Sequence, residues 1–127
     1  MDLTRIAPTD RQHIQKYSPV GFTVSGVQLA GPVLVFPHES LSWKADAPNN
    51  LLPKDVSAII ERAGELDLCL LGCGNRMTQV DTSVRQVLKD AGVGIEPMDT
   101  GAACRTFNVL LAEGRAVMAA VFPPSAP

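Results

Sequence analysis

The sequence predicts an α/β protein: a single three-layer domain with a mixed central sheet, βαβ units and an N-terminal antiparallel β meander. Three observations predict it. Leu66, Leu68, Cys69, Leu70 and Leu71 form a nearly continuous apolar run, too short for an independent helix and bounded by Gly72, Cys73 and Gly74; such a run is a strand buried on both faces. Beyond it, helical stripes alternate with short apolar runs as far as residue 121, the strand–helix–strand–helix–strand rhythm of right-handed crossovers and a largely parallel core. Before it, short β-type runs are punctuated by Gly21, Gly26 and Gly31-Pro32 at hairpin intervals.

Taken in order, residues 1–11 read as a polar arm, residues 12–122 as the domain, and residues 123–127 as a disordered tail. His13 to Tyr17 alternates as a strand does, and residues 21–24, 27–29 and 33–36 complete the meander, which should pack on or extend the later sheet. Residues 37–50 read as a loop carrying the only tryptophan, Trp43. Pro53 suits a first helical turn, and Val56, Ile59, Ile60 and Ala63 supply an apolar stripe ending at Gly64. After the central strand, Val84, Val87, Leu88 and Ala91 recur at helical spacing, with Asp81, Thr82 or Ser83 as cap and Gly92 as stop. Residues 94–98 are extended, since Pro97 disfavours a helical Glu96. Asp99 or Thr100 then caps a helix with Ala103, Phe107, Leu110 and Leu111 on its apolar face, and residues 116–121 form a last strand. Leu68, Leu70, Val87, Ile95, Phe107, Leu110 and Val117 are expected to be buried together.

Composition bounds the function. A chain of 127 residues is one domain. A formal net charge of −2 lacks the basic stripe of a general nucleic-acid binder. No apolar run approaches the roughly 18 residues of a membrane span, and the first residues lack the apolar segment of a secretory signal. Three cysteines, an odd number, suit free thiols in a cytoplasmic chain.

Gly94, Ile95, Glu96, Met98, Thr100, Ala103, Arg105, Thr106, Phe107, Asn108, Leu110, Glu113, Arg115, Val117, Ala119 and Ala120 form a C-terminal signature. Upstream, Gly21, Phe22, Gly26, Gly31, Val33, Leu34, Val35, Pro37, Trp43 and the run from Leu71 to Gly74 belong with it. Together they resemble a family of small, mostly uncharacterised bacterial and archaeal α/β domains that includes the mitochondrial NADH dehydrogenase (respiratory complex I) assembly factor 3. The resemblance implies the three-layer fold with no established enzymatic activity and no known cofactor. It also implies a role in assembly of a respiratory or other membrane complex through protein contacts.

Gly72-Cys73-Gly74 after a strand, with Glu96 in the next, invites a dinucleotide-site reading. Met77 occupies the place of the third glycine and the helix begins late, so a turn requiring positive φ is the better explanation. Cys69 and Cys73, three residues apart with no second pair, make a poor zinc site. Cys69 reads as core, Cys73 as a possible reactive thiol exposed in its glycine loop, and Cys104 as a buried thiol beside Arg105. His13 and His38 have no companions for catalysis, and Glu113 with Arg115 reads as a turn-stabilising pair. One constellation remains. If the strands ending at Leu71 and Met98 are parallel neighbours, Gly72, Gly74, Asn75 and Arg76 face Thr100, Arg105 and Asn108 across the edge where open α/β sheets bind ligands. Thr100 and the first helical turn would hold an anion, with Arg105 adding a bidentate charge or tying the loop down.

The leading expectation is therefore a non-enzymatic protein-interaction module, with no catalytic residues, metal or cofactor. Its partners would be proteins such as a membrane-complex subunit or another assembly factor. The alternative is a small-molecule or anion-binding protein, or an undescribed enzyme, using that crevice. Homo-oligomerisation through an open edge of the meander is a third option.

Overall fold

The apolar run after Leu66 becomes β6 (Leu68–Cys73), an interior strand of a five-stranded sheet, in a computed structural model that describes residues 11–125. Its two parallel neighbours are β7 (Gly94–Met98) and β8 (Val117–Phe122). β8 in turn pairs antiparallel with β4 (Val33–Val35), and β4 with β5 (Ser40–Ser42). Every residue of β8 is buried, as are all but the first of β6. Covered on both faces, these strands dispense with the apolar–polar alternation of a half-exposed sheet.

Two helices complete the layers. From β6 the chain passes through α2 (Thr82–Asp90) to β7 on one side, then through α3 (Thr100–Ala112) back past β6 to β8. The two crossovers run in opposite directions, and crossovers of one hand must then use opposite faces. The packing agrees. Val84 and Leu88 of α2 lie with Cys69, Leu71, Met118 and Ala120, alternate residues of one sheet face. Ala103, Phe107 and Leu111 of α3 lie with Leu70, Val117, Ala119 and Val121, from the other face. The expected single core is thus two cores separated by the sheet: Leu70, Phe107 and Val117 belong to the α3 side and Ile95 to the α2 side. Leu68, Val87 and Leu110 are only partly buried, at the margins.

The meander forms a separate three-stranded antiparallel sheet of β1 (Ile14–Ser18), β2 (Gly21–Val24) and β3 (Val27–Ala30). It packs beside α3, contributing Ile14, Phe22 and Val24 to that core. Three readings needed correction. The run at 33–36, expected to complete the meander, instead supplies β4 of the large sheet, where β8 and β5 pair with it. The loop at 37–50 contains β5, because the chain reverses after Phe36 and pairs Ser40 with Val35. The helix expected from the stripe beginning at Val56 is broken. A 3-10 turn at Pro53–Val56 leads into the short α1 (Ser57–Glu61) and a second 3-10 turn at Ala63–Glu65, leaving Ile60 exposed while Val56 and Ile59 are buried. The arm at residues 1–10 and the tail at 126–127 lie outside the described residues.

Trp43 is the keystone of the α1–α2 side. Its Nε1 donates to the Asp55 carbonyl at 2.8 Å, and its ring lies 4.9 Å from that of Phe122. Arg62 closes the margin, with its guanidinium 4.6 Å from the centroid of Phe36 and 3.0 Å from the Glu39 carboxylate. This cation–π and ion-pair contact is partly exposed, the setting in which each contributes about 0.5–1 kcal/mol.

Candidate functional site

Parallel pairing of β6 and β7 brings their carboxyl ends to one edge of the sheet, as the strand pattern implied. Gly72 sits at the end of β6 facing α3. A Cβ there would stand 2.8 Å from Val121 Cγ1, 3.1 Å from Thr100 Oγ1 and 3.2 Å from Ala103 Cβ. The glycine is what lets the first turn of α3 lie directly on the sheet. Gly74 follows with φ of +89°, the positive-φ turn that the incomplete glycine pattern suggested.

Thr100 occupies the heart of this edge and is wholly buried. Its Oγ1 accepts a hydrogen bond from the Gly74 N–H at 2.8 Å and donates to the Phe122 carbonyl at 2.6 Å. Its own N–H donates to the Gly74 carbonyl at 2.9 Å. The ends of β6 and β8 and the start of α3 are therefore stitched at one side chain, whose hydrogen-bonding capacity is spent inside the protein. The cap itself is Asp99, whose Oδ1 accepts from the Ala102 N–H at 2.9 Å. A carboxylate thus already occupies the anion-favouring end of the helix.

The other expected site residues separate. Asn75 and Arg76 are exposed on the β6–α2 loop, and Asn75 Oδ1 accepts from the Ser125 N–H at 2.9 Å. Arg105 folds back along its own helix, its Nη1 3.2 Å from where a Cβ on Gly101 would stand. Asn108 turns to the meander: its Oδ1 accepts from the Ile14 N–H and its Nδ2 donates to the Ile14 carbonyl, both at 2.9 Å. One amide side chain thus stands in for a neighbouring strand where the β1–β2 register shifts between Ile14 and Lys16. Gly72, Gly74 and Thr100 come together, whereas Arg105 and Asn108 lie on the flank of α3 that meets β1.

Sequence reasoning overlooked Gly101. A Cβ on it would fall 2.7 Å from the Tyr17 hydroxyl, so it is the seat on which β1 approaches α3. The available signal was a glycine in a first helical turn, where it costs about 1 kcal/mol relative to alanine and so calls for a packing reason.

An open cleft of about 620 Å³ lies at the same edge, and Arg105 does not line it. Cys73, Gly74 and Asn75 form one wall, Pro123 to Ser125 another, and Asp46 supplies the charge. The exposure expected for Cys73 does not occur. Its side chain turns inward among the α2-side core, with Sγ 3.7 Å from the Leu71 carbonyl. Burial pushes the Cys69 thiol up to about 12. Burial also pushes Cys104 up to about 12, outweighing the lowering pull of Arg105, while Asp99 adds to the rise. Among the described residues, no group of His, Cys, Asp and Glu is arranged to hold a metal ion, and no helix is long and apolar enough to cross a membrane.

A second concavity, of about 490 Å³, lies on the meander between Tyr17, Val20, Phe22 and Leu29. Large apolar side chains are uncovered here, Val20 being 78% exposed and Tyr17 43%, and Val27, at the turn end of β3 outside the concavity, is 57% exposed.

Comparison with known proteins places these features in a family. NADH dehydrogenase [ubiquinone] 1 alpha subcomplex assembly factor 3 of Xenopus tropicalis is 31% identical over 111 residues, covering 87% of this chain and 61% of that protein. Its Homo sapiens counterpart is 29% identical over 126 residues, covering 95% and 68%. The chain therefore spans about two thirds or less of these relatives. An uncharacterized protein of Rhodobacter capsulatus is 34% identical over 110 residues, covering 87% of this chain and 83% of the relative. Among solved structures, an outer membrane protein from Bartonella henselae superposes with a TM-score of 0.84 at 30% identity, covering 92% of this chain and 98% of that one. A Bordetella pertussis protein described as a Mth938-like domain gives 0.76 at 25% identity, covering 94% and 89%. The family model described as "Protein of unknown function (DUF498/DUF598)" matches residues 14–122. The chain belongs to that family, whose relatives include both proteins named as complex I assembly factors and uncharacterised bacterial proteins.

Proposed function

We propose that this domain is a non-enzymatic interaction module that helps assemble respiratory complex I or another membrane complex, and that the β1–β3 meander is its contact surface. The observation that carries the reading is the uncovered apolar side chains of that sheet, Tyr17 and Val20 at the groove and Val27 at the other end of β3. Scattered exposed apolar residues are ordinary, but several large ones on one small sheet beside an open groove point to an interaction surface. Relatives named as complex I assembly factors support the same reading from the side of descent.

The competing reading, a ligand at the carboxyl edge, draws on the 620 Å³ cleft. Its position is the one α/β sheets favour. The side chains lining it include Asp46 and neither lysine nor arginine, so an anion would find repulsion there. Thr100, Arg105 and Asn108, which the anion reading required, are not among them.

Affinity capture from native extract, comparing wild type with Val27→Lys, tests the proposal. Subunits of a membrane complex should be retained by wild type and lost from the variant, with thermal stability unchanged. Equal retention by the variant, or a small molecule co-purifying in place of protein, would sink it.

A further inference from the structure

We infer that the open edge of β3 pairs with the β3 edge of a second copy, joining two meanders into one continuous six-stranded sheet. The inference rests on the reading of the meander as a contact surface and specifies one occupant for it.

The geometry begins at the β2–β3 turn. Ser25 and Gly26 have φ of 49° and 85°, and Val24 pairs with Val27 across them, a two-residue hairpin with both central residues left-handed. In such a hairpin the pair closing the turn exchanges both hydrogen bonds, and the pattern then alternates. Val27 and Leu29 therefore aim their N–H and C=O at β2, and Gly31 continues the series by donating to Val20 O at 3.0 Å. Gln28 and Ala30 aim theirs the other way. Among the described residues β3 is the last strand of its sheet, and no strand lies beside that edge.

Beyond its four-residue length, the edge is also undefended. Natural sheets blunt a free edge with lysine, proline, a bulge or an inward charge. None interrupts β3, whose pairing with β2 is regular. No Asp, Glu, Lys or Arg stands between Lys16 and Glu39, in a chain of which 19% is charged.

The occupant follows from self-complementarity. In an antiparallel seam with a two-fold axis through Gln28, the Gln28 residues of the two copies exchange N–H···O=C bonds, each using groups that face outward. Val27 then lies opposite Leu29 of the other copy on the apolar face, and the two Gln28 side chains meet on the polar face. No like charges oppose each other: with strands about 4.8 Å apart, the two Lys16 residues would stand about 24 Å apart, well beyond a Debye length of about 8 Å. A partner recognised by charge would need a fixed charge at this edge, and residues 17–38 offer none.

The test uses the whole chain and the variant Gln28→Pro. Proline at 28 removes only the outward N–H and leaves the bonds to β2, so the fold should survive. Light scattering across a concentration series should give wild type a mass near twice 13.5 kDa and the variant a mass near 13.5 kDa. Amide exchange at Gln28 and Ala30 should slow by tenfold or more in wild type as concentration rises. Val27→Lys, at an exposed position, should also give the monomer and covers the case of Gln28→Pro failing to fold. Wild type remaining monomeric to its solubility limit would overturn the inference, as would a dimer persisting in both variants. A monomeric wild type that still captures membrane-complex subunits through Val27 would overturn the dimer and leave the contact-surface reading standing. A dimer without such capture would do the reverse.

Discussion

Replacing Thr100 by valine removes one hydroxyl from a wholly buried side chain while keeping its shape. Two partners are stranded: the Gly74 N–H, now 2.8 Å from Oγ1, and the Phe122 carbonyl, 2.6 Å away. A buried polar group left without a partner costs about 1–3 kcal/mol, and the part-buried Gly74 amide recovers some of that through water. The Thr100 N–H still holds the Gly74 carbonyl, so the edge should loosen without opening. The expected loss is about 2–4 kcal/mol, a large share of the roughly 5–15 kcal/mol that hold such a domain together. Thr100→Ser retains both bonds and loses one methyl, for about 1 kcal/mol. Urea unfolding of the three proteins, compared at a common slope, measures the difference. A Thr100→Val loss below about 1 kcal/mol, or a serine variant that falls as far as the valine one, would refute the stitch as a determinant of stability.

Phe107→Ala should cost about 3–5 kcal/mol in the same assay, because the ring is wholly buried between α3 and the sheet; a smaller loss would mean that this core collapses around the gap. Asn108→Leu strands both the N–H and the C=O of Ile14 and should destabilise by about 2 kcal/mol, with amide exchange accelerated in β1 ahead of β6. The thiols of Cys69 and Cys104 should resist an aromatic disulfide reagent at pH 8 in the native protein and react on unfolding. Their folded pKa of about 12 exceeds the ordinary thiol value of 9.0. The native state thus holds these protons more tightly, so their contribution to stability is complete below pH 9 and is lost as pH rises from 9 towards 12. A pH–stability curve flat across that window would contradict the burial of both thiols.

How far the fold was legible follows from which forces local sequence records. The βαβ half was readable because β6, α2, β7, α3 and β8 each carry their own period and stop signal, from the apolar run of β6 to Gly92 and Gly114 with positive φ. The strand β5 was not, since Ser40–Ser42 has no β pattern and exists because β4 offers it an edge. The helical stripe beginning at Val56 promised more helix than forms, because Pro53 and Gly64 confine it and tertiary burial takes only Val56 and Ile59. The failure of a single joint core has the same origin: periodicity says which side of an element is apolar, and only strand order says which face of the sheet it meets.

The candidate site separates along that line. Gly72, Gly74 and Thr100 were placed together because parallel pairing of two adjacent strands is enough to bring their ends to one edge. Arg105 and Asn108 were placed there on helical proximity alone, yet both follow Thr100 on a helix that turns about 100° per residue. Thr100 commits the start of α3 to the sheet, and Gly101, Arg105 and Asn108 then fall on the flank that meets β1. Asn108 satisfies both backbone groups of Ile14, and Gly101 admits Tyr17, so α3 anchors β1 firmly along one edge of the meander. Among the described residues, no strand lies beside its opposite edge, β3. A sheet held along one side and open along the other presents its free backbone in a fixed orientation, with little entropy left to lose on pairing. Asn108, first read as part of a ligand crevice, thus helps to hold that free edge in place.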